Sequence, residues 1–569
     1  MVNVKNLFGM AVMATALVGC SSNDNLAPDG KDNVGKTGEA YASFTINLPT
    51  TTGTRADDPT PGSPDLSNPG TAAEYEVKNG TILIFDKAGL YVTSAQLGTM
   101  QPWTPVKTDG VTTAAITTVQ LSGVKVGGDY QALVLLNNDV DATTSKVKLP
   151  STGTPYATWS AEASNVNAEK YASTDGIFMA NAPKYTGTTT EPTTLVPIAN
   201  VCASREEAQA KVATTVYVER GLAKVTMQNY TDGGYTVAEG TYKGDKVEIK
   251  NWQLDVTNKS TFPVHQIGGL TTGYEGIWSE KRFYDGGNQS FPRVYWGVDP
   301  NYSDATLKNL EACKTAFTMI GKNDIKGKTG NDHPQYCLEN TFDLSNMMQG
   351  QTTRVVFKAV YTPSALVDAT DKTFYKIGNN TAIWTKDKLT QQIHTVAVTA
   401  MGITDATEQE KYVVKLDATD NNISGEAGQH LIKAENITYT GEGTSQVYPN
   451  VVNTINEKLG LKEEGGKITS GIATYLDGVT YYIARIKHFN ELTSWTAGKP
   501  YGTENGKYLG RYGVLRNNWY DLSVTSISGL GYPDVPEVKP TVPDDENEQF
   551  INVEVKILSW AKRSQQIKL

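Results

Sequence analysis

Histidine and cysteine are scarce in this chain, with five and four copies in 569 residues. The histidines (His265, His333, His394, His430 and His488) are scattered, and none falls into an HExxH or paired Cys/His spacing. His394 lies in a strand-like run and reads as packed there. No GxSxG elbow, phosphate-binding loop or dinucleotide fingerprint occurs. The acidic clusters, Asp57-Asp58 and Asp544 to Glu548, sit in linker-like sequence and read as solvated runs. Nothing therefore calls for a cofactor, a metal or an enzyme. Basic charge is also short: the formal net charge is −10, which argues against nucleic acid as a partner. The one long apolar run, Leu7 to Val18, falls short of the ~20 residues a membrane span needs. No short-period repeat is present, which excludes a solenoid.

That apolar run follows Lys5 and is followed by Gly19 and Cys20. Charged start, apolar stretch, small residue and cysteine together describe an export signal with a lipoprotein cleavage site. The expectation is a chain cut before Cys20 and lipidated on it, held on a membrane surface rather than through it. Residues 21–40 are polar and glycine-containing, a tether. The remainder is rich in Gly, Thr, Asn and Tyr, with short Val/Ile/Tyr/Thr runs between Gly, Asn, Asp and Pro breaks, which reads as an all-β chain with a few short helices.

In Tyr41 to Leu48, Ala42, Phe44, Ile46 and Leu48 alternate with Tyr41, Ser43, Thr45 and Asn47, a half-buried strand by period. Pro49 ends it. Residues 51–73 carry four prolines and one basic residue, Arg55, so a strand is joined to the rest by a loop with one trypsin-like site between Arg55 and Ala56. Thr81–Phe85 and Tyr130–Leu136 are apolar enough for central strands, and Gly176–Ala180 is another candidate. Ser204 with Glu207 forms a capping box before a helix over 205–213. Strands are expected at 248–256, 353–361, 393–399, 411–416, 480–487 and 518–527, and a helix at 450–459 stopped by Gly460. Glu219 with Arg220 reads as a structural ion pair, and Arg516 with Asn517 as a cap or bridge at the start of the 518–527 strand. Residues 532–549 carry four prolines and an acidic run, a stiff and solvated linker. Beyond it, Ile551, Val553, Val555 and Ile557 alternate with Asn552, Glu554 and Lys556, and Leu558 and Trp560 break the phase.

A C-terminal strand on a proline-rich linker either folds back into its own sheet or fills a groove in another molecule. The N-terminal end decides in favour of the second. A strand cut loose at Arg55 would leave a groove of unpaired backbone groups and apolar pockets that must be refilled. Such a contact is heterologous and propagates into a filament. Three cysteines remain once Cys20 is spent, allowing one pair and one leftover in any of three ways. Cys313 with Cys337, flanking the loop Gly321 to Asn331, is the favoured pair, and closing it would contribute about 3 kcal/mol.

Several segments are similar to those of the Bacteroidales fimbrillins, in particular the major shaft subunits of the short, Mfa-type fimbriae. They are Gly513–Tyr520, Asp521–Ile527, Leu530-Gly531, Val553–Trp560, Val218–Lys224, Val355–Pro363 and Tyr481-Tyr482. Their order, with the lipoprotein signal and Arg55, carries the resemblance, while 230–350 matches weakly. The resemblance implies two transthyretin-like β-sandwich domains plus exchangeable terminal strands: a signal at 1–20, a propeptide with removable strand at 21–55, domains at 56–225 and 226–535, and a linker with donor strand at 536–569. It implies an outer-membrane lipoprotein precursor, cut after Arg55 by an Arg-specific protease and joined into an extracellular fimbrium that supports adhesion and biofilm. Its partners would be other copies of itself, accessory anchor and tip subunits, and a host or bacterial surface receptor. The donor strand would carry Ile551, Val553, Val555, Ile557 and Trp560. The alternative is a monomeric surface lipoprotein that binds glycan or host matrix, with Trp278, Tyr284, Phe291 and Tyr295 available to stack on sugars.

Overall fold

The computed structural model describes residues 37–49, 71–98, 111–139, 145–173, 176–184, 192–268, 294, 296–378, 380–416, 428–443, 447–488, 508–544 and 551–559. These residues are mainly β, arranged in several sheets with a few short helices.

The first sheet runs in the order Tyr91–Gln96, Gly80–Asp86, Tyr130–Leu136, Met179–Asn181, Thr214–Arg220, Thr37–Pro49, Val111–Lys125. Its two edges approach each other, and the Thr117 hydroxyl donates to Leu97 O at 2.7 Å. The 80–86 and 130–136 strands are covered on both faces. Ile82, Ile84 and Val134 join one core with Phe44, Ile46 and Val216, while Leu83, Phe85, Leu133 and Leu135 join another with Trp159 and Tyr171. That double burial explains why these two strands read as continuous apolar runs instead of alternating ones.

The chain passes to new sheets between Arg220 and Ala223. One sheet orders Gln335–Cys337, Ala223–Met227, Asn518–Ile527 and Ile551–Ser559. A second orders Tyr235–Thr236, Lys246–Asp255, Arg354–Thr362 and Val479–Arg485. They share one apolar core that includes Val225, Trp252, Phe357, Tyr482 and Tyr520, a β-sandwich.

Between the last two strands of the second sheet lies an insertion with its own core of Tyr375, Leu389, Ile393, Ala397, Ile455 and Ile472, among others. The strand expected at 393–399 is instead part of the helix Lys386–Ala400. The local Thr-Val-Ala-Val run imitates a strand, but Leu389, Ile393 and Ala397 recur every four residues and face this core, and Thr385 caps the start. His394 sits on that helix, with Nε2 2.9 Å from Gln409 O. The helix expected at 450–459 is Pro449–Lys458, and the one expected at 205–213 is shorter, Arg205–Ala210, with Ser204 accepting from Glu207 N.

The 532–549 segment is not a solvated linker over its described part. Arg354 donates to Pro536 O at 2.7 Å, Val538 is buried beside Cys313, and Asp544 is fully buried, accepting from Thr352 Oγ1 at 3.0 Å. Proline at every third or fourth position imposes an extended path, and here that path is pinned to the sandwich.

The expected Cys313–Cys337 bridge is absent: both are free, buried thiols, as is Cys202. Cys313 lies on the helix Leu310–Ala316 in a cluster with Val256, Leu307 and Phe317, while Cys337 lies in a strand inside the sandwich core. Proximity in sequence misled because each thiol is held in a separate apolar cluster. Burial pushes the Cys337 thiol up to about 12, so it stays an inert thiol. Protein spanning 21–569 should titrate three thiols when denatured without reductant, and reductant should leave its melting temperature unchanged. A single titratable thiol would indicate a disulfide.

Candidate functional site

The 37–49 strand is an interior strand with two hydrogen-bonded neighbours. It pairs antiparallel with 111–125, from Thr37↔Lys125 to Pro49↔Val111, and parallel with 214–220, from Phe44↔Thr214 to Asn47↔Tyr217. Ala40, Ala42, Phe44, Ile46 and Leu48 are 0–1% exposed. Burial of Phe44, Ile46 and Leu48 alone is worth roughly 5–9 kcal/mol gross. The opposite face, expected to meet solvent, is also largely covered. Ser43 donates to Ala208 O at 2.9 Å beneath the 205–210 helix, and the Arg205 guanidinium lies 5.7 Å from the Tyr41 ring centroid. Tyr41 also exchanges two backbone hydrogen bonds with Cys202. The period gave the inward set correctly; what it could not show was the helix laid over the other face.

Among the described residues, 111–125 has no strand partner other than 37–49. Removing 37–49 would therefore strip both 111–125 and the adjoining edge of 214–220 of their ladder, leaving backbone donors and acceptors that must be paired again.

The C-terminal strand occupies the opposite kind of position. Ile551–Ser559 is an edge strand in the same chain's own sheet, paired antiparallel with 518–527 from Asn518↔Ser559 to Ile527↔Ile551. This puts Ile551, Val553, Val555 and Ile557 in a single strand. An edge strand has one ladder to lose where an interior strand has two. The residues between pinned Asp544 and this strand, 545–550, can span at most ~20 Å when extended. Cys20, Arg55, Ala56 and Trp560 lie outside the described residues, as do Trp278, Tyr284, Phe291 and Tyr295.

Two buried polar clusters that sequence reasoning missed join the sheets. In the first, Glu74 lies just after the proline-rich segment. Its carboxylate accepts from Lys224 Nζ (2.6 Å), Tyr336 OH (2.7 Å) and Thr71 N (2.6 Å), and its carbonyl accepts from Arg220 Nε (2.9 Å). Burial pushes the Glu74 carboxyl up, but the Lys224 ammonium and these donors outweigh it and hold its pKa below the usual value. Lys224 Nζ also sits 3.8 Å from the Trp519 ring centroid, and Trp519 Nε1 donates to Thr226 Oγ1, which donates to Asp521. The cluster ties the start of the first sheet to the 223–227 and 518–527 strands.

In the second cluster, His265 Nδ1 lies 2.8 Å from Glu219 Oε1 and Nε2 lies 3.2 Å from Trp296 O. A carboxylate and a carbonyl can only accept, so both ring nitrogens donate and the ring is an imidazolium. Arg516 Nε donates to Glu339 at 3.1 Å beside it. The two carboxylates are thus balanced by two cations. Burial lowers the His265 pKa, but Glu219 and Glu339 outweigh it and the net shift is upward. Gly297 is required here, because a Cβ would lie 2.3 Å from His265 Nε2. Glu219 and Arg220 are not paired with each other: strand neighbours point to opposite faces, and Arg220 turns to Glu74 and to Asn517 Oδ1. Asn517 bridges at the start of the 518–527 strand, taking a left-handed φ of 59° that asparagine tolerates.

Among the described residues no group of three or more His, Cys, Asp or Glu side chains could hold a metal ion. A cleft of about 800 Å³ lies between 166–172 and the 253–259 and 334–338 segments. Its best-placed polar groups are engaged internally: Gln335 with Gln253 and Leu254 N, Lys259 with Lys314 O, and Tyr336 with Glu74.

Residues 473–566 match the profile of a family described as "Major fimbrial subunit protein type IV, Fimbrillin, C-terminal". The matched segment includes both the 518–527 strand and the terminal 551–559 strand. A search of curated protein sequences finds no match. Among solved structures, the chain is similar to a proposed cell adhesion protein from Parabacteroides distasonis (10% identity, 93% of this chain and 99% of that one, TM-score 0.36). It is also similar to the tip fimbrial protein Mfa3 from Porphyromonas gingivalis with C-terminal truncation (11% identity, 91% and 100%, TM-score 0.31), and to a fimbrial assembly protein from Parabacteroides distasonis (12% identity, 62% and 97%, TM-score 0.28). At these TM-scores the likeness fixes neither partner nor activity.

Two outcomes test the buried clusters. Glu74→Gln leaves Lys224 without its counter-charge and should cost about 3–5 kcal/mol, read as a lower urea midpoint. Glu76→Gln on the exposed neighbour should change stability by less than about 0.5 kcal/mol. For His265, whose folded pKa lies above the unfolded value of about 6.5, the stabilisation is complete below that pH and is lost as pH rises through the folded pKa. The melting temperature should therefore fall on raising the pH above about 6.5, more steeply in the natural protein than in His265→Gln; identical slopes would contradict the imidazolium.

Proposed function

We propose that this chain is the structural subunit of a cell-surface fimbria and polymerises by strand exchange. The precursor is exported as a lipoprotein anchored through Cys20. An Arg-specific protease cuts between Arg55 and Ala56, after which the 37–49 strand is held only by non-covalent contacts. It leaves with its lipid tether, and the C-terminal strand of another copy takes its place. The observation that carries this reading is positional. An interior strand, buried on both faces, is connected to the rest of the fold only through the segment that contains Arg55. The fimbrillin C-terminal match over 473–566 supports it.

Within such a fimbria, the long C-terminal strand suits a shaft subunit, since a tip has no further copy to engage. A cut that sheds Cys20 suits a subunit that is not the permanent anchor. Accessory anchor and tip subunits would complete the filament, and a host or bacterial surface receptor would be its target in adhesion and biofilm.

The cis pairing of 551–559 favours a second reading, a monomeric surface lipoprotein that binds glycan or matrix. The two readings part on one experiment. Protein lacking residues 1–20 is treated gently with trypsin, sequenced from its new N-terminus and viewed by electron microscopy. Strand exchange is expected to give an N-terminus at Ala56 with filaments or oligomer ladders, and deletion of 550–569 should abolish them. A cut chain that stays monomeric with 550–569 protected supports the monomeric reading.

A further inference from the structure

The vacated groove has a direction written in the sizes of the side chains that now fill it. Along 37–49 the fully buried positions run small, small, large, large, large: Ala40, Ala42, Phe44, Ile46, Leu48. At the narrow end the sheet was built around methyl groups, and a larger side chain there would overpack it. A strand replacing 37–49 must offer two small residues at that end and three large ones at the other, at every second position.

Within residues 545–569 only one alternating set of five does so with apolar residues at all three large positions, in either phase and in either direction. It is Val553, Val555, Ile557, Ser559 and Ala561, which reads large, large, large, small, small. The order is that of the groove reversed. We propose that the C-terminal strand of a second copy enters antiparallel to the direction of the departed strand, with Val553 in place of Leu48, Ile557 in place of Phe44 and Ala561 in place of Ala40. This rests on the strand-exchange reading and gives it a register. No apolar pocket then receives a larger side chain than it held, apart from the hydroxyl that Ser559 adds at Ala42.

The other face agrees at its most distinctive point. The same register sets Trp560 where Tyr41 now lies, under the Arg205 guanidinium. Tryptophan is the best aromatic partner for a cation, so that contact is kept and strengthened. Leu558 falls where Ser43 meets Ala208 O, so the 205–210 helix must move outward to admit it. Trp560 and Ala561 become the specificity-determining residues of the strand, although they lie outside the apolar alternation that marks it by eye. Insertion in the original direction with 551–559 would instead force Ile551 and Val553 into the alanine pockets and put Ser559 in that of Leu48.

The test uses the trypsin-processed chain under mild oxidation. Gln120 is exposed on the 111–125 strand opposite Tyr41. Gln120→Cys combined with Trp560→Cys is expected to give a ladder of disulfide-linked oligomers on a non-reducing gel, and Gln120→Cys with Asn552→Cys or Leu558→Cys is not. Ala561→Leu, carried without cysteines, should slow filament formation by about tenfold or more through overpacking. Filaments that cross-link through position 552 or 558 instead, with Ala561→Leu neutral, would overturn the register while leaving strand exchange intact. Absence of both filaments and cross-links after cleavage at Arg55 would overturn the exchange reading and the register with it.

Discussion

A strand inside a sheet cannot be removed without leaving two unpaired edges, and in the first sheet of this protein such a strand is the first of the described elements. Residues 37–49 supply a ladder to 111–125 along its length and a shorter one to 214–220. The apolar core of that sheet is built around Phe44, Ile46 and Leu48. Water can satisfy exposed backbone groups but cannot refill apolar pockets. The fold is therefore stable only with some strand in that place, whichever chain provides it. In the proposed assembly this requirement is the driving force: cleavage replaces a covalent neighbour with a vacancy whose refilling is downhill.

In that assembly the rest of the architecture would keep the vacancy from spreading. The 214–220 strand, one wall of the groove, ends in Glu219 and Arg220, and each is fastened to a different part of the second half. Glu219 holds the imidazolium of His265, and Arg220 reaches the Glu74 carbonyl and Asn517. The ion pair of Glu74 with Lys224 ties the segment following the proline-rich stretch to the 223–227 strand and, through Trp519, to the strand on which the terminal 551–559 strand rests. Buried charges of this kind add little net stability over apolar packing, but breaking one partner is costly, so they fix the two halves in one arrangement. The pinning of 533–544 to the sandwich limits how far the terminal strand can travel, which would hold successive copies of a filament close together.

Much of this was legible in the sequence where a segment's local pattern and its surroundings agree. The alternation of Ala42 to Leu48 identified the inward face of the 37–49 strand, and the unbroken apolar runs at 81–85 and 130–136 identified central strands, which two cores cover on both faces. What escaped notice had a non-local cause. Residues 393–399 alternate like a strand, yet the four-residue recurrence from Leu389 to Ala397 meets a core assembled from 374–472, and the helix wins. Asp544 looked solvated because its neighbours are acidic; its partner, Thr352, is almost two hundred residues away. Cys313 and Cys337 looked like a pair because they are close in sequence, whereas apolar clusters of different origin hold them apart. Glu74 and His265 carry no sequence signature at all, since a buried ion pair is defined by which strands meet.

In the proposed assembly the 37–49 strand leaves as the filament grows. Native mass spectrometry of processed protein lacking residues 1–20 tests it most directly, by asking whether the 21–55 peptide accompanies each species. The expected result is monomer that retains the peptide and oligomers that have lost one copy for every groove refilled. Oligomers that keep a full complement of the 21–55 peptide would contradict the account, because their grooves would never have been vacated.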